Sequence, residues 1–229
     1  MNILALETSM GACSAAVLPG DGETRAPFAR YETMERGHAE TLMPMVAEVM
    51  VDAGLEFADL DLIAATTGPG SFTGVRIAIA AARGLALVTD AKLFGTDSLT
   101  VMARFARDSG IARDEPLAVA ADARGGMLYF GLYDAQARKH EGPLLIAPDD
   151  AAEMLPRELR IAVGSGASIL AETAQRRAQT IEAVLPELQP SAAALAQIAL
   201  ESGETTPILR PLYLRPPDAK PQVQQVVRR

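Results

Sequence analysis

The sequence predicts an α/β protein of two lobes. Short apolar runs bounded by glycine and proline come first, then alternate with segments of helical period, the pattern of mixed sheets covered by helices. That order occurs in two unequal halves, with the change near residues 108–116, so residues 1–106 and 107–229 are assigned to separate lobes. A chain of 229 residues, 49% hydrophobic and 22% charged, has ample material for a core and is not of disordered composition.

In the first half, residues 2–7 read as a buried strand ending at Glu7-Thr8-Ser9. Gly11 precedes a second apolar run, Cys13 to Leu18, and Pro19-Gly20-Asp21-Gly22 marks a turn, so the two runs begin a meander. A third strand is expected near Phe28–Glu32. Residues 38–53 carry Leu42, Met45, Val46, Val49, Met50 and Ala53 at spacings of three and four, which predicts a helix. Pro44 is placed in its first turns and Gly54 ends it. Leu60–Thr67 reads as a strand, and a helix of small residues, Gly74–Val88, follows the loop Gly68-Pro69-Gly70-Ser71-Phe72-Thr73. In that reading Thr73 caps the helix. Lys92–Gly95 is strand-like, and Ser98 caps a helix through Ala106.

In the second half, Leu117–Ala121 and Met127–Tyr133 read as strands joined by Asp122-Ala123-Arg124-Gly125-Gly126. Glu153–Leu155 and Arg157–Val163 lead into the turn Gly164-Ser165-Gly166, and Ser168–Arg177 reads as helix. Ser191–Ser202 is a helix capped by Ser191 and ended by Gly203. The proline-containing tail is extended, with disorder expected over Gln222–Arg229. No repeat at a solenoid period is found.

Composition narrows the function classes. Aromatics are 4% with no Trp, so stacking platforms for nucleic-acid bases are not expected. The net charge of −8 argues against broad autonomous binding of nucleic acid. The single cysteine, Cys13, permits no intrachain disulfide and suits a reducing compartment. There is no basic leader and no run of 18 uninterrupted apolar residues, so neither a signal peptide nor a membrane span is expected, and a cytoplasmic location is.

The loop Gly68 to Arg76 invites a phosphate-binding reading, because a strand, a glycine loop and a helix in that order aim backbone N–H groups at an anion. It lacks the Gly-Lys-Ser/Thr of a P-loop, and Thr73 occupies the third glycine position of a dinucleotide fingerprint. A tight strand-to-helix turn is the better-supported reading. Arg76 and Arg83 lie seven apart on one helix face, suited to phosphate, to a partner's carboxylates or to solvent. Glu7 and Thr8 can hold Mg²⁺ through water or form a local turn. Only His38 and His140 are present, without metal-ligand spacing, so a zinc or iron site and a hydrolytic triad using Ser71 are both disfavoured. The methionine-rich stripe of residues 38–53 suits a core or an adaptable interface equally well.

Several pieces in order resemble the TsaB (YeaZ) family. These are Ile3-Leu4-Ala5-Leu6-Glu7-Thr8-Ser9, Gly37-His38-Ala39-Glu40-Thr41-Leu42-Met43-Pro44, and Gly68-Pro69-Gly70-Ser71-Phe72-Thr73-Gly74-Val75-Arg76-Ile77. Asp122-Ala123-Arg124-Gly125-Gly126 and Pro211-Leu212-Tyr213-Leu214-Arg215 complete the set. The resemblance implies an actin/hexokinase-type (ASKHA) fold and a non-catalytic role in making threonylcarbamoyladenosine on tRNA, at the adenosine 3′ of the anticodon. The implied partners are the transferase TsaD, as a heterodimer, and the ATPase TsaE. A homodimer is expected when TsaD is absent, and tRNA is met only through the complex. The metal-binding histidine pair of TsaD corresponds here to Ser98 and Met102, neither a good ligand for iron or zinc. The resemblance assigns His38, Leu42, Met45, Val46, Val49, Met50, Arg76, Ile79 and Arg83 to the TsaD contact. It places any nucleotide at the heterodimer boundary near Glu7, Thr8, Gly70 and Arg76, with no cofactor bound by this chain alone. The competing readings are an ASKHA-type ATPase or small-molecule kinase using Glu7, Thr8 and Gly164-Ser165-Gly166, and, least favoured, a glycoprotease-like peptidase.

Overall fold

The computed structural model describes residues 1–20, 26–112 and 114–214. The expected disorder of residues 222–229, and the second half of the turn at residues 19–22, fall outside the described residues. Ten strands and six helices alternate in the order β1 (Ile3–Glu7), β2 (Ala12–Leu18), β3 (Phe28–Thr33), α1 (His38–Ala53), β4 (Leu62–Thr66), α2 (Phe72–Thr89), β5 (Lys92–Thr96), α3 (Ser98–Asp108) and then β6 (Leu117–Asp122), β7 (Leu128–Tyr133), β8 (Lys139–Ile146), α4 (Pro148–Glu153), β9 (Ile161–Val163), α5 (Ala167–Arg176), β10 (Glu182–Val184), α6 (Ala192–Ser202). A short 3₁₀ turn, Phe57–Asp59, precedes β4.

The second eight elements repeat the first eight. Each half builds a five-stranded sheet in the same topological order, β3-β2-β1-β4-β5 and β8-β7-β6-β9-β10. In both, the first three strands form an antiparallel meander and the last two run parallel to the first. The repeat is one of topology, which is why no period shows in the residues.

Alternation along β1 divides two cores. Leu4 and Leu6 face α1 and α2, joined by Val17, Ile63 and Leu209. Ile3 and Ala5 face α6. In the second sheet, Ala118, Ala120 and Phe130 pack on α4 and α5, while Leu117, Val119 and Tyr133 pack on α3. The inner helices are therefore exchanged: α3 leaves the first sheet and covers the second, and α6 returns from the second to cover the first. These two helices touch each other between the sheets. Chain order puts α6 with the second half, but its small alanine face fits the first sheet.

Several local readings shift. The cap of α2 is Ser71, whose Oγ accepts from Gly74 N at 2.9 Å, and the helix starts at Phe72 with Thr73 inside its first turn. Pro44 is the seventh residue of α1, so its missing N–H falls in the helix interior, on the exposed side. Strand β8 was not legible in the sequence, because it opens on Lys139-His140-Glu141-Gly142-Pro143.

Candidate functional site

Two regions drew the functional reading of the sequence, and the fold treats them oppositely. The strand end at Glu7-Thr8-Ser9 is closed. The Thr8 hydroxyl donates to Gly74 O at 2.7 Å and accepts from Ala78 N at 3.2 Å, which spends it on α2. Ser71 N donates to Ser9 O at 2.7 Å. A Cβ placed on Gly70 would lie 2.1 Å from Ser9 O, and one on Gly74 would lie 2.1 Å from Thr8 O. The glycines are required by the close approach of this chain's own backbone, so the space a phosphate would need holds residues 8 and 9.

Glu7 is fully buried, with Ser9 N donating to its Oε1. Parallel pairing of β1 and β4 brings Thr66 beside it, yet Glu7 Oε2 and Thr66 Oγ1 have no well-formed hydrogen bond. Burial pushes the Glu7 carboxyl above its ordinary value, against the opposing hydrogen bonds of Ser9 and Thr66. Ser9 Oγ and Ser98 Oγ are 2.8 Å apart, tying the strand end to the start of α3. The next residue toward the second lobe is Asp97, which caps α3 through Thr100 N at 2.9 Å and pairs with Lys139 Nζ at 3.0 Å. Tyr133 lies under this pair, its phenol raised well above the usual range by burial and by the Asp97 charge.

The other glycine turn behaves alike. A Cβ on Gly164 would lie 2.6 Å from Ala120 O, and Ser165 Oγ accepts from Asp122 N at 3.0 Å. His38 lies against Met10 O at 3.1 Å through Nε2, which donates to the carbonyl, and Ser71 is occupied as a cap, so the two are not hydrogen-bonded to each other. Among the described residues no group of three or more His, Cys, Asp or Glu side chains is placed to hold a metal ion.

The helical region is open, but not on the side the sequence indicated. His38, Leu42, Met45, Val46, Val49, Met50 and Ile79 are all buried, the last six in the core against the first sheet. Within this chain they face the sheet; a stripe at spacings of three and four turned inward, as amphipathic stripes usually do. The outer faces carry the unburied apolar side chains instead: Met43 (42% exposed) and Val51 (78%) on α1, Leu87 (82%) and Val88 (78%) on α2. Arg83 is also exposed there. Among the described residues α2 is the one helix long and apolar enough to cross a membrane by length and composition, although its 18 residues include Arg76 and Arg83 and its inner side is seated on β1, β4 and β5. The overlooked signal was apolar residues in excess of the core stripe.

Arg76 stands at the head of this face. Its guanidinium carbon lies 3.7 Å above the Phe72 ring, and its Nε donates to Tyr213 Oη at 2.6 Å. Gly70, by contrast, is at the closed loop. The structure thus places Glu7 and Thr8 in the interior and Arg76 on the surface.

Similarity to known proteins follows the same architecture. A family described as TsaD, tRNA N6-adenosine threonylcarbamoyltransferase, matches residues 32–220. YeaZ from Pseudomonas aeruginosa superposes with a TM-score of 0.80 at 32% identity, covering 93% of this chain and 99% of that one. The chain belongs to the TsaB/YeaZ family. Its two lobes each carry a five-stranded mixed sheet with helices. The Haemophilus influenzae tRNA threonylcarbamoyladenosine biosynthesis protein TsaB is 29% identical over 94% of both chains. The Escherichia coli protein of the same name is 40% identical over 134 residues, a match spanning 58% of this chain and 55% of that protein.

Proposed function

We propose that this TsaB-like chain is a non-catalytic subunit in the biosynthesis of threonylcarbamoyladenosine on tRNA. In this reading it binds and supports a TsaD-type transferase, together with a TsaE-type ATPase, through the outer faces of α1 and α2. The observation that carries the proposal is the pairing of an open apolar helical face with a closed strand end. Val51, Leu87 and Val88 remain exposed while Glu7, Thr8 and both glycine turns are consumed by internal packing. The acidic balance of −8 supports a role in which tRNA is met through the assembled complex, in the cytoplasm. A homodimer through the same helices is the resting state this face suggests when TsaD is absent. A nucleotide, if bound, belongs at the heterodimer boundary on the Arg76 side, since Glu7 and Thr8 are enclosed.

The test is co-purification of the full chain with the TsaD-type subunit, followed by reconstitution of the tRNA modification. Leu87→Asp combined with Val51→Asp should leave the fold intact and abolish both complex and product. A stable complex that survives both charges, or product formed from the adenylate without TsaD, overturns the reading. Micromolar Mg-ATP binding with turnover by the isolated chain would favour the ATPase or kinase alternative.

A further inference from the structure

The segment after α6 is spent on the first sheet and on the head of α2. Thr206 N donates to Leu93 O at 2.6 Å, and Gly95 N donates to Thr206 Oγ1 at 3.2 Å, so the chain lies along the free edge of β5. Leu209 is buried in the core that α1 and α2 share, so close to Gly95 that a Cβ there would fall 2.6 Å from it. Leu212 N donates to Thr67 O at 2.7 Å, at the mouth of the glycine loop. Tyr213 then stacks on Phe72, centroids 5.4 Å apart and planes at 26°, and takes the Arg76 Nε hydrogen bond.

This arrangement fixes an arginine that makes no ion pair among the described residues. Arg30, Arg104, Arg107, Arg138, Arg176 and Arg177 are all ion-paired. Arg76 has no ion pair, and its two terminal nitrogens have no hydrogen-bond partner among the described residues. What sets Arg76 apart from Arg83 on the same helix is that its guanidinium lies over the Phe72 face and is tied through Nε to Tyr213, two half-exposed aromatics that stack on each other. The clamp removes most of the rotamer freedom a binding event would otherwise have to remove, and leaves the planar fork presented in one direction.

We propose that residues 206–213 are a strap that holds Arg76 ready for a carboxylate of the docked partner protein, with Tyr213 as the positioning residue. The proposal rests on the docking reading above. Phosphate is the less favoured occupant, because the glycine loop next to Arg76 has spent N–H groups internally: Ser71 N is bonded to Ser9 O and Gly74 N to its cap.

The experiment measures affinity of the full chain for the TsaD-type subunit by calorimetry at two ionic strengths, with hydrogen exchange over residues 71–79. Arg76→Ala should weaken binding by about tenfold and flatten its salt dependence. Tyr213→Ala should do nearly the same, raise exchange over 71–79, and add little when combined with Arg76→Ala. Tyr213→Phe, which keeps the stack and loses the hydroxyl, should fall between; it also serves if Tyr213→Ala folds poorly. Unchanged affinity and salt dependence in Tyr213→Ala and Tyr213→Phe, or fully additive losses, overturns the strap while leaving the docking reading standing, provided Leu87→Asp combined with Val51→Asp abolishes binding. If the variant carrying both charges binds normally, the docking reading fails and the carboxylate contact falls with it. Should Arg76→Ala spare protein affinity but remove Mg-ATP binding by the complex, the oxyanion is a nucleotide's and the carboxylate assignment is wrong.

Discussion

Replacing Gly74 by alanine separates a structural glycine from a merely permissive one. In an ordinary helix the change favours folding by about 1 kcal/mol through backbone entropy. Here the new methyl would lie 2.1 Å from Thr8 O and 2.6 Å from the capping Ser71 Oγ. Neither neighbour is a flexible side-chain end: Thr8 is held between β1 and α2 by its own hydroxyl, and Ser71 N is bonded to Ser9 O. Loss of the cap costs about 1 kcal/mol, and overpacking about 1–3 kcal/mol. Against the propensity gain, the net is a destabilisation of about 1–3 kcal/mol. Gly84→Ala, ten residues along the same helix, is the control: nothing lies within 4 Å of its Cβ, so it should stabilise by about 0.5–1 kcal/mol. Urea denaturation of both variants and the parent measures the two signs. A Gly74→Ala protein as stable as the parent would refute the claim that the loop's space is filled by residues 8 and 9.

Three further outcomes follow from the same packing. Met45→Ala should cost about 2–4 kcal/mol by urea denaturation, as a core truncation does and a surface change does not. Glu7→Gln should gain stability relative to the parent as pH rises. The folded pKa of Glu7 is raised by burial, so the native state holds a proton the unfolded chain releases near 4.5, and parental stability falls from that pH upward toward the folded value. Melting curves of both proteins at about pH 4 and about pH 8 should therefore converge at the acid end and separate at the other. Lys139→Met should cost about 1–2 kcal/mol, discounted because Lys139 is half exposed, since buried Asp97 keeps its Thr100 hydrogen bonds but loses its counter-charge; thermal denaturation checks it.

Much of the fold was legible because its signals are local. Apolar strand runs, the caps at Ser191 and Gly203, and the turn chemistry of residues 122–126 act within a few residues of themselves. The glycine loop was legible as a turn but not in its reason, because the atoms that exclude a Cβ at Gly70 and Gly74 belong to residues 8 and 9, more than sixty positions earlier. The direction in which the apolar stripe of α1 faces was illegible for a related cause. Periodicity marks an apolar stripe without saying whether a sheet or a partner receives it, and α2, apolar on most sides, has no clear polar face to orient it.

By itself the sequence determined the class of the fold, the order of most elements and the family. Composition, period and motif are properties of the chain and survive any arrangement of its parts. Only tertiary structure decided which sheet receives α3 and which α6, that Leu42, Met45, Val46, Val49 and Met50 point inward while Val51, Leu87 and Val88 stay exposed, and that Tyr213 reaches Arg76. Each of these depends on contacts between residues distant in sequence, whose energies are set by shape and burial and leave no local mark.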